Sequence, residues 1–238
     1  MAFTDFDLLG TQATVLHSAA PLTTNPLTSS LAGAYCRSLQ YSGSFPQKMY
    51  FTTSSYGGAF YNIPDTKVIS ARAHLRYSST TTSNLLTVKD TTTFNSTTTI
   101  NGYSFGMCPV ADLVRGGAVL FGNDNSILVN KTIGFSQFFS VDTWYSLRMD
   151  VFPLGAAGDR IICYMEVDSP SGSVSTPGSG IWNSTLGGVL FDITVASTNP
   201  AYAPWSSNAR NGISTRQPFG TPGIAYVDNI NFTTYNAP

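Results

Sequence analysis

The chain has 238 residues and a net charge of −1, with only 11% of its residues charged. A near-neutral chain without a basic stripe excludes nucleic acid as an expected partner, and no apolar run approaches the ~18 residues that a membrane-spanning helix needs. At 42% hydrophobic it can fill a sizeable core, while a lone glutamate, Glu166, and an abundance of Thr, Ser and Asn argue against a helical protein and for strands and turns.

Along the chain, Phe3–Leu16 alternates loosely and is expected to open the fold as a strand. Pro21–Ser30 reads as a polar loop. Ala34–Tyr41 and Lys48–Thr53 are short strand candidates, and Tyr56–Asn62 is rich in Gly and Tyr. Val68–Tyr77 alternates cleanly, with Ile69, Ala71, Ala73, Leu75 and Tyr77 against Ser70, Arg72, His74 and Arg76, which predicts a half-buried strand. Residues 78–101 form a long polar stretch, read as a loop interrupted by a strand candidate at Leu85–Lys89. Asn101–Met107 is a further strand. Pro109–Arg115 is the one tempting helix, of two turns at most. Ala118–Phe121 and Ser126–Val129 flank a turn at Gly122–Asn125.

Trp144–Val167 is the most informative stretch. Tyr145, Leu147, Met149 and Val151 fall on one face of a strand, and Trp144, Ser146, Arg148 and Asp150 on the other. Pro153, Gly155 and Gly158 then turn the chain into a second apolar strand. Residues 169–180 and 198–222 are expected to be surface loops, Gly188–Val195 a strand, and Ile224–Phe232 the closing strand with Tyr226, Asp228, Ile230 and Phe232 on one face. Phe3–Leu16 is predicted to lie beside Ile224–Thr234.

Many short strands with almost no helix predict an all-β, antiparallel sandwich of jelly-roll type, formed as one domain over 1–238. Three unclustered cysteines, Cys36, Cys108 and Cys163, read as buried free thiols. The opening MAFTDFDLLG carries Asp5 and Asp7 and no positive charge, unlike a secretory signal. The expectation is synthesis and folding in a cytosol.

Several of these segments resemble the concanavalin-A-like (laminin-G-like) jelly rolls of bacteriophage structural proteins. They are WYSLRMDVFPLGAAGD at Trp144–Asp159, YNIPDTKVISARAHLR at Tyr61–Arg76 and YVDNINF at Tyr226–Phe232. The resemblance implies a virion component assembled in the host cytoplasm. It would be a capsid decoration protein or a tail, fibre or baseplate part, with other virion proteins and copies of itself as partners. The alternative is a lectin-like adhesin that recognises host surface polysaccharide; a glycan hydrolase ranks last.

Candidate chemistry is sparse, and no enzymatic activity is expected. Glycosidases of the same jelly roll carry Glu-x-Asp-x-x-Glu, but after Glu166 and Asp168 the last position here is Ser171, and retaining hydrolysis needs a second carboxyl group. Gly102-Tyr103-Ser104-Phe105-Gly106 matches a nucleophile elbow, yet both histidines, His17 and His74, precede the serine. The resemblance makes Asn123, Asp124 and Asn125 a candidate Ca²⁺ loop, with Asp142 and Asp228 as further ligands; otherwise no cofactor is expected. For a glycan, the candidate surface is Tyr56, Tyr61, Tyr202 and Trp205 with Arg210 and Arg216, since sugar rings stack on exposed aromatics. Packing or assembly is the favoured explanation of the same residues, since oligomer interfaces use Tyr, Trp and Arg too.

Overall fold

A computed structural model describes residues 4–5, 13–16, 23–28, 35–43, 47–51, 67–77, 83–91, 101–108, 117–131, 144–167, 189–206, 209–216 and 223–236. Among the described residues there are fifteen strands: β1 (Thr4–Asp5), β2 (Ala13–Leu16), β3 (Thr23–Thr28), β4 (Tyr35–Gly43), β5 (Gln47–Phe51), β6 (Lys67–Tyr77), β7 (Ser83–Asp90), β8 (Tyr103–Cys108), β9 (Gly117–Phe121), β10 (Ile127–Lys131), β11 (Trp144–Pro153), β12 (Gly158–Val167), β13 (Val189–Ala196), β14 (Arg210–Arg216) and β15 (Gly223–Asn236). Helical structure among the described residues is limited to two three-residue 3₁₀ turns, Asn123–Asn125 and Gly155–Ala157.

The strands form two antiparallel sheets. One has the order β13-β12-β11-β6-β15-β4-β3, with β1 added along β15; the other runs β10-β9-β8-β7-β14-β5-β2. Their inner faces meet in one apolar cluster. Ile69, Ala71, Leu75, Tyr145, Leu147, Met149, Val151, Ile161 and Cys163 come from the first sheet, and Leu86, Val88, Tyr103, Phe105, Ala118 and Leu120 from the second. Phe105 and Phe191 meet edge to face across the gap, with ring centroids 6.0 Å apart. The chain is therefore an all-β sandwich, as its period-two patterning predicts.

The hairpin read from Trp144–Val167 is present as β11 and β12, in continuous register from Tyr145 opposite Val167 to Pro153 opposite Asp159. The apolar side of β11 is sealed. Its polar side is also partly sealed, because Asp150 is 1% exposed and Ser146 7%. Asp150 tolerates this because the Arg148 guanidinium, two residues away on the same face, pairs with it through Nε at 2.9 Å and through Nη2.

Three expectations need correction. The loop expected at 198–222 ends early, since Arg210–Arg216 is a strand between β7 and β5. Its sequence, RNGISTR, has no apolar run; two neighbouring ladders hold it in place. The strand read at Leu85–Lys89 within 78–101 is present and longer, Ser83–Asp90. Thr23–Thr28 is also a strand despite Pro26, and it lies at the edge of its sheet, where a missing N–H is tolerated. Lastly, a bulge in β15 between Asp228 and Asn231 breaks its alternation. Asn231 and Thr233, rather than Ile230 and Phe232, continue the row of Tyr226 and Asp228.

The predicted pairing of the termini holds for two residues, Thr4 opposite Phe232 and Asp5 opposite Asn231. Ala13–Leu16 instead joins the other sheet, beside β5. Pro109–Arg115 and 169–180 lie outside the described residues.

Candidate functional site

One end of the sandwich gathers the candidate chemistry. Val88 pairs with Tyr103, Asp90 with Arg210, Phe121 with Ile127, Pro153 with Asp159, and Gly158 with Ala196. The strand ends that lead into four connections therefore lie together: β7 to β8, β9 to β10, β11 to β12 and β13 to β14. Phe51 and Lys67, which bracket the segment holding Tyr56 and Tyr61, end their strands on the same side, because Tyr50 pairs with Gly212 and Lys67 with Asn236. Tyr56 and Tyr61 themselves lie outside the described residues.

Three of these connections are tied to one another. The Asn123 N–H donates to the Ala201 carbonyl at 2.8 Å, and the Ser197 N–H to that of Ala157 at 3.2 Å. Ser197 Oγ also donates to the Ala156 carbonyl at 2.8 Å. Gly122 is needed at the first crossing, since a Cβ there would stand 2.3 Å from the Ala201 oxygen. Gly158 has φ +119°, and its Cβ would stand 2.1 Å from the Val195 oxygen.

Beneath the loops lies a buried polar network. Lys89 Nζ donates to Asp159 Oδ2 at 2.7 Å, and the Tyr103 hydroxyl donates to the same oxygen at 2.9 Å. The Ala203 N–H donates to the Tyr103 hydroxyl at 3.2 Å, and Asn211 Oδ1 accepts the Lys89 N–H at 3.2 Å. Burial, and then the Asp159 charge, push the Tyr103 phenol far above its ordinary range. The network joins β7, β8 and β14 of one sheet to β12 of the other and pins the 198–206 connection. Sequence reading missed it: Lys89 and Asp159 are 70 residues apart, and nothing local marks either one.

On this platform Trp205 is 42% exposed and Leu154 44%, with Ile127 at 37%. Tyr202 is half-buried and packs against the core, with its ring centroid 5.9 Å from Lys89 Nζ. The structure therefore places Tyr202 and Trp205 on one short connection, but only Trp205 offers a large exposed face. Arg210 opens β14 at this end and Arg216 closes it at the other, so the two arginines stand at opposite ends of one strand.

Asn123–Asn125 forms a tight turn with Asp124 exposed at φ 54°. Among the described residues no three His, Cys, Asp or Glu side chains stand close enough to hold a metal ion. Asp142 lies outside them. Ser104, the centre of the elbow-like motif, lies within β8, fully buried, with its hydroxyl 3.0 Å from that of Thr87.

The outer face of the first sheet carries a second polar set. Register aligns Asp228, His74, Ser146 and Glu166 in one row, and Asn231, Arg72, Arg148 and Tyr164 in the next. The Arg148 guanidinium lies 5.1 Å from the Tyr164 ring centroid. Burial, and then the Asp150 charge, raise the Tyr164 phenol. Further out, Arg160 grips Asp192 through two hydrogen bonds of 2.8 and 2.7 Å, which lower the Asp192 carboxyl.

No protein-family model matches this sequence, and no curated protein matches it. Among solved structures, a protein of unknown function from Shewanella oneidensis MR-1 is similar, with TM-score 0.50 and 12% identity over 95% of this chain and 79% of that one. The CBM2 module of the evolved Dit of Lactobacillus casei BL23 phage J-1 aligns with TM-score 0.43 and 11% identity over 100% of this chain and 96% of the module. The binding domain of botulinum neurotoxin serotype D/C VPI 5993 aligns with TM-score 0.45 and 13% identity over 95% of this chain and 44% of that domain. At such identities the first likeness is one of fold. It agrees with the two-sheet architecture.

Proposed function

We propose that this chain is a non-enzymatic structural protein on the exterior of a bacteriophage particle, either decorating the capsid or forming part of the tail, fibre or baseplate. One observation carries the reading. The three segments that resemble phage jelly rolls lie far apart in sequence, yet their strands fall side by side as β12-β11-β6-β15. Resemblance by chance has no reason to select neighbours in one sheet. The loop end, with Trp205 and Leu154 exposed above a rigid base, is the surface offered to a partner. On a particle, repetition of the same surface makes weak single contacts sufficient. The test is to purify particles from a culture that makes this chain and probe them with antibodies against it. Labelling of intact particles at regular positions is expected. A chain that stays entirely in the particle-free fraction overturns the proposal.

A second reading, a carbohydrate-binding adhesin, is favoured by the exposure of Trp205 beside Tyr202 on a pinned connection. An array of bacterial surface polysaccharides tests it. Binding that disappears in Trp205→Ala supports this reading, and silence at concentrations where multivalent binding registers rejects it.

A further inference from the structure

Lys89 is turned into the sandwich by a local device. Along β7, Leu86 and Val88 face the inter-sheet core, so simple alternation would send Lys89 outward. Between Thr87 and Asp90, however, β7 takes one residue more than β14 does between Arg210 and Gly212, which is a bulge. Lys89 sits in it with φ 54°, left-handed for a residue with a side chain. Bulges re-aim side chains, and left-handed backbone at a non-glycine residue persists only where its surroundings enforce it. Here the Asn211 side chain holds the Lys89 N–H.

The bulge delivers the amine to a carboxyl group on the opposite sheet. Lys89 Nζ and Asp159 Oδ2 are 2.7 Å apart, with the two side chains 5% and 1% exposed. The Tyr103 hydroxyl holds the same oxygen, and Nζ lies 5.9 Å from the ring centroids of both Tyr103 and Tyr202. An amine and a carboxyl group fixed in contact, with water excluded, have the proximity that makes a bimolecular condensation effectively intramolecular. As an ion pair they bear the cost of two buried charges; an amide bears none.

We propose that Lys89 and Asp159 condense into an intramolecular amide that joins the two sheets covalently. A proton first passes from the ammonium to the carboxylate and settles on Oδ1, leaving a neutral amine and a carboxylic acid whose Oδ2 stays free to accept from Tyr103. The Nζ lone pair adds to Cγ, forming the C–N bond, and negative charge gathers on Oδ2, where the Tyr103 hydroxyl donates. Oδ2 becomes the amide oxygen. The Cγ–Oδ1 bond breaks, and Oδ1 leaves with one proton from the acid and one from the amine, as water. No oxidant, cofactor or second protein enters the balance, and the step is independent of any role on a particle.

The experiment is an intact-mass measurement on the full, folded chain, followed by a tryptic map. The expected mass is the sequence mass less one water. The map is expected to show no cleavage after Lys89 and a branched peptide joining the Lys89 and Asp159 segments. Lys89→Arg should keep its full sequence mass, and Asp159→Asn should lose ammonia instead of water. A wild-type mass equal to the sequence mass after prolonged incubation of the folded protein overturns the proposal. So does a water loss that maps elsewhere, such as a succinimide. The wild-type measurement decides by itself should a variant fail to fold.

Discussion

The Tyr103 hydroxyl stands between two sequence-distant partners, accepting from the Ala203 N–H at 3.2 Å and donating to Asp159 Oδ2 at 2.9 Å. Tyr103→Phe deletes both bonds with little change of shape. It leaves the buried Ala203 N–H without that acceptor and Asp159 short of a donor. The expected cost is about 2–4 kcal/mol, the sum of an orphaned backbone donor and one lost hydrogen bond. Urea unfolding of the two proteins side by side checks this. A difference within error would mean that the network does not brace the loop end.

The same phenol sets an alkaline limit. Its folded-state pKa is raised from the ordinary 10.0, chiefly by burial and then by the Asp159 charge. A raised folded value means that the unfolded state loses its proton first. The stabilising contribution is therefore complete below about pH 10 and declines as pH rises beyond it. Tyr164, raised by burial and the Asp150 charge, acts in the same direction. Melting temperature should begin to fall above about pH 9, where the unfolded Cys163 thiol ionises, and fall more steeply beyond about pH 10, and that steeper part should be shallower in Tyr103→Phe than in the wild type.

Much of the architecture was legible because period-two patterning survives wherever a strand has one face in the core. Ile69 to Leu75 and Tyr145 to Val151 announce themselves this way. What was not legible depends on pairing rather than on local pattern. RNGISTR is a strand because β5 and β7 flank it, and the side to which Lys89 points depends on one bulge. Asp150 reads as a solvent-facing residue by alternation, yet it is buried because Arg148 lies against it. Of the glycan candidates, Trp205 was legible as a surface aromatic. The separation of Arg210 from Arg216 along one strand was not, because the segment carries no strand signal of its own.

Two ion pairs on the outer face of the first sheet should respond differently to loss of their acid. Arg160 and Asp192 form a two-bond pair with side chains 49% and 41% exposed, and exposed pairs contribute little net stability. The Asp192 carboxyl is lowered, mainly by its hydrogen bond from Arg160, so any contribution is present above its unfolded value and fades as pH falls through the folded one. Asp192→Asn should melt within error of the wild type at neutral pH. Asp150→Asn removes the acid from a pair in which Asp150 is 1% and Arg148 16% exposed. It should cost about 3 kcal/mol, because a largely buried guanidinium loses its counter-charge. Parallel thermal melts that showed equal losses would contradict this ranking.

Cys163 gives a probe of whether the inter-sheet core opens. It is fully buried among Met149, Ile161 and Phe191, and burial, then the nearby Asp150 charge, push its thiol well above the ordinary range. Thiolate is the reactive form, so two barriers act together: little thiolate and no access. In the native protein Cys163 should resist a maleimide for hours at neutral pH and react promptly once denaturant unfolds the chain. Peptide mapping of the labelled protein separates Cys163 from Cys36 and Cys108. Slow native labelling confined to Cys163 would show that the two sheets part without global unfolding. Its rate against denaturant concentration would then measure that opening directly. Gly158→Ala is the matching perturbation, because a Cβ at φ +119° would press on the Val195 oxygen, across the β12–β13 ladder from Asp159. That variant should accelerate Cys163 labelling well before it lowers the melting midpoint to physiological temperature, since the strain falls on the strand pair that covers the thiol.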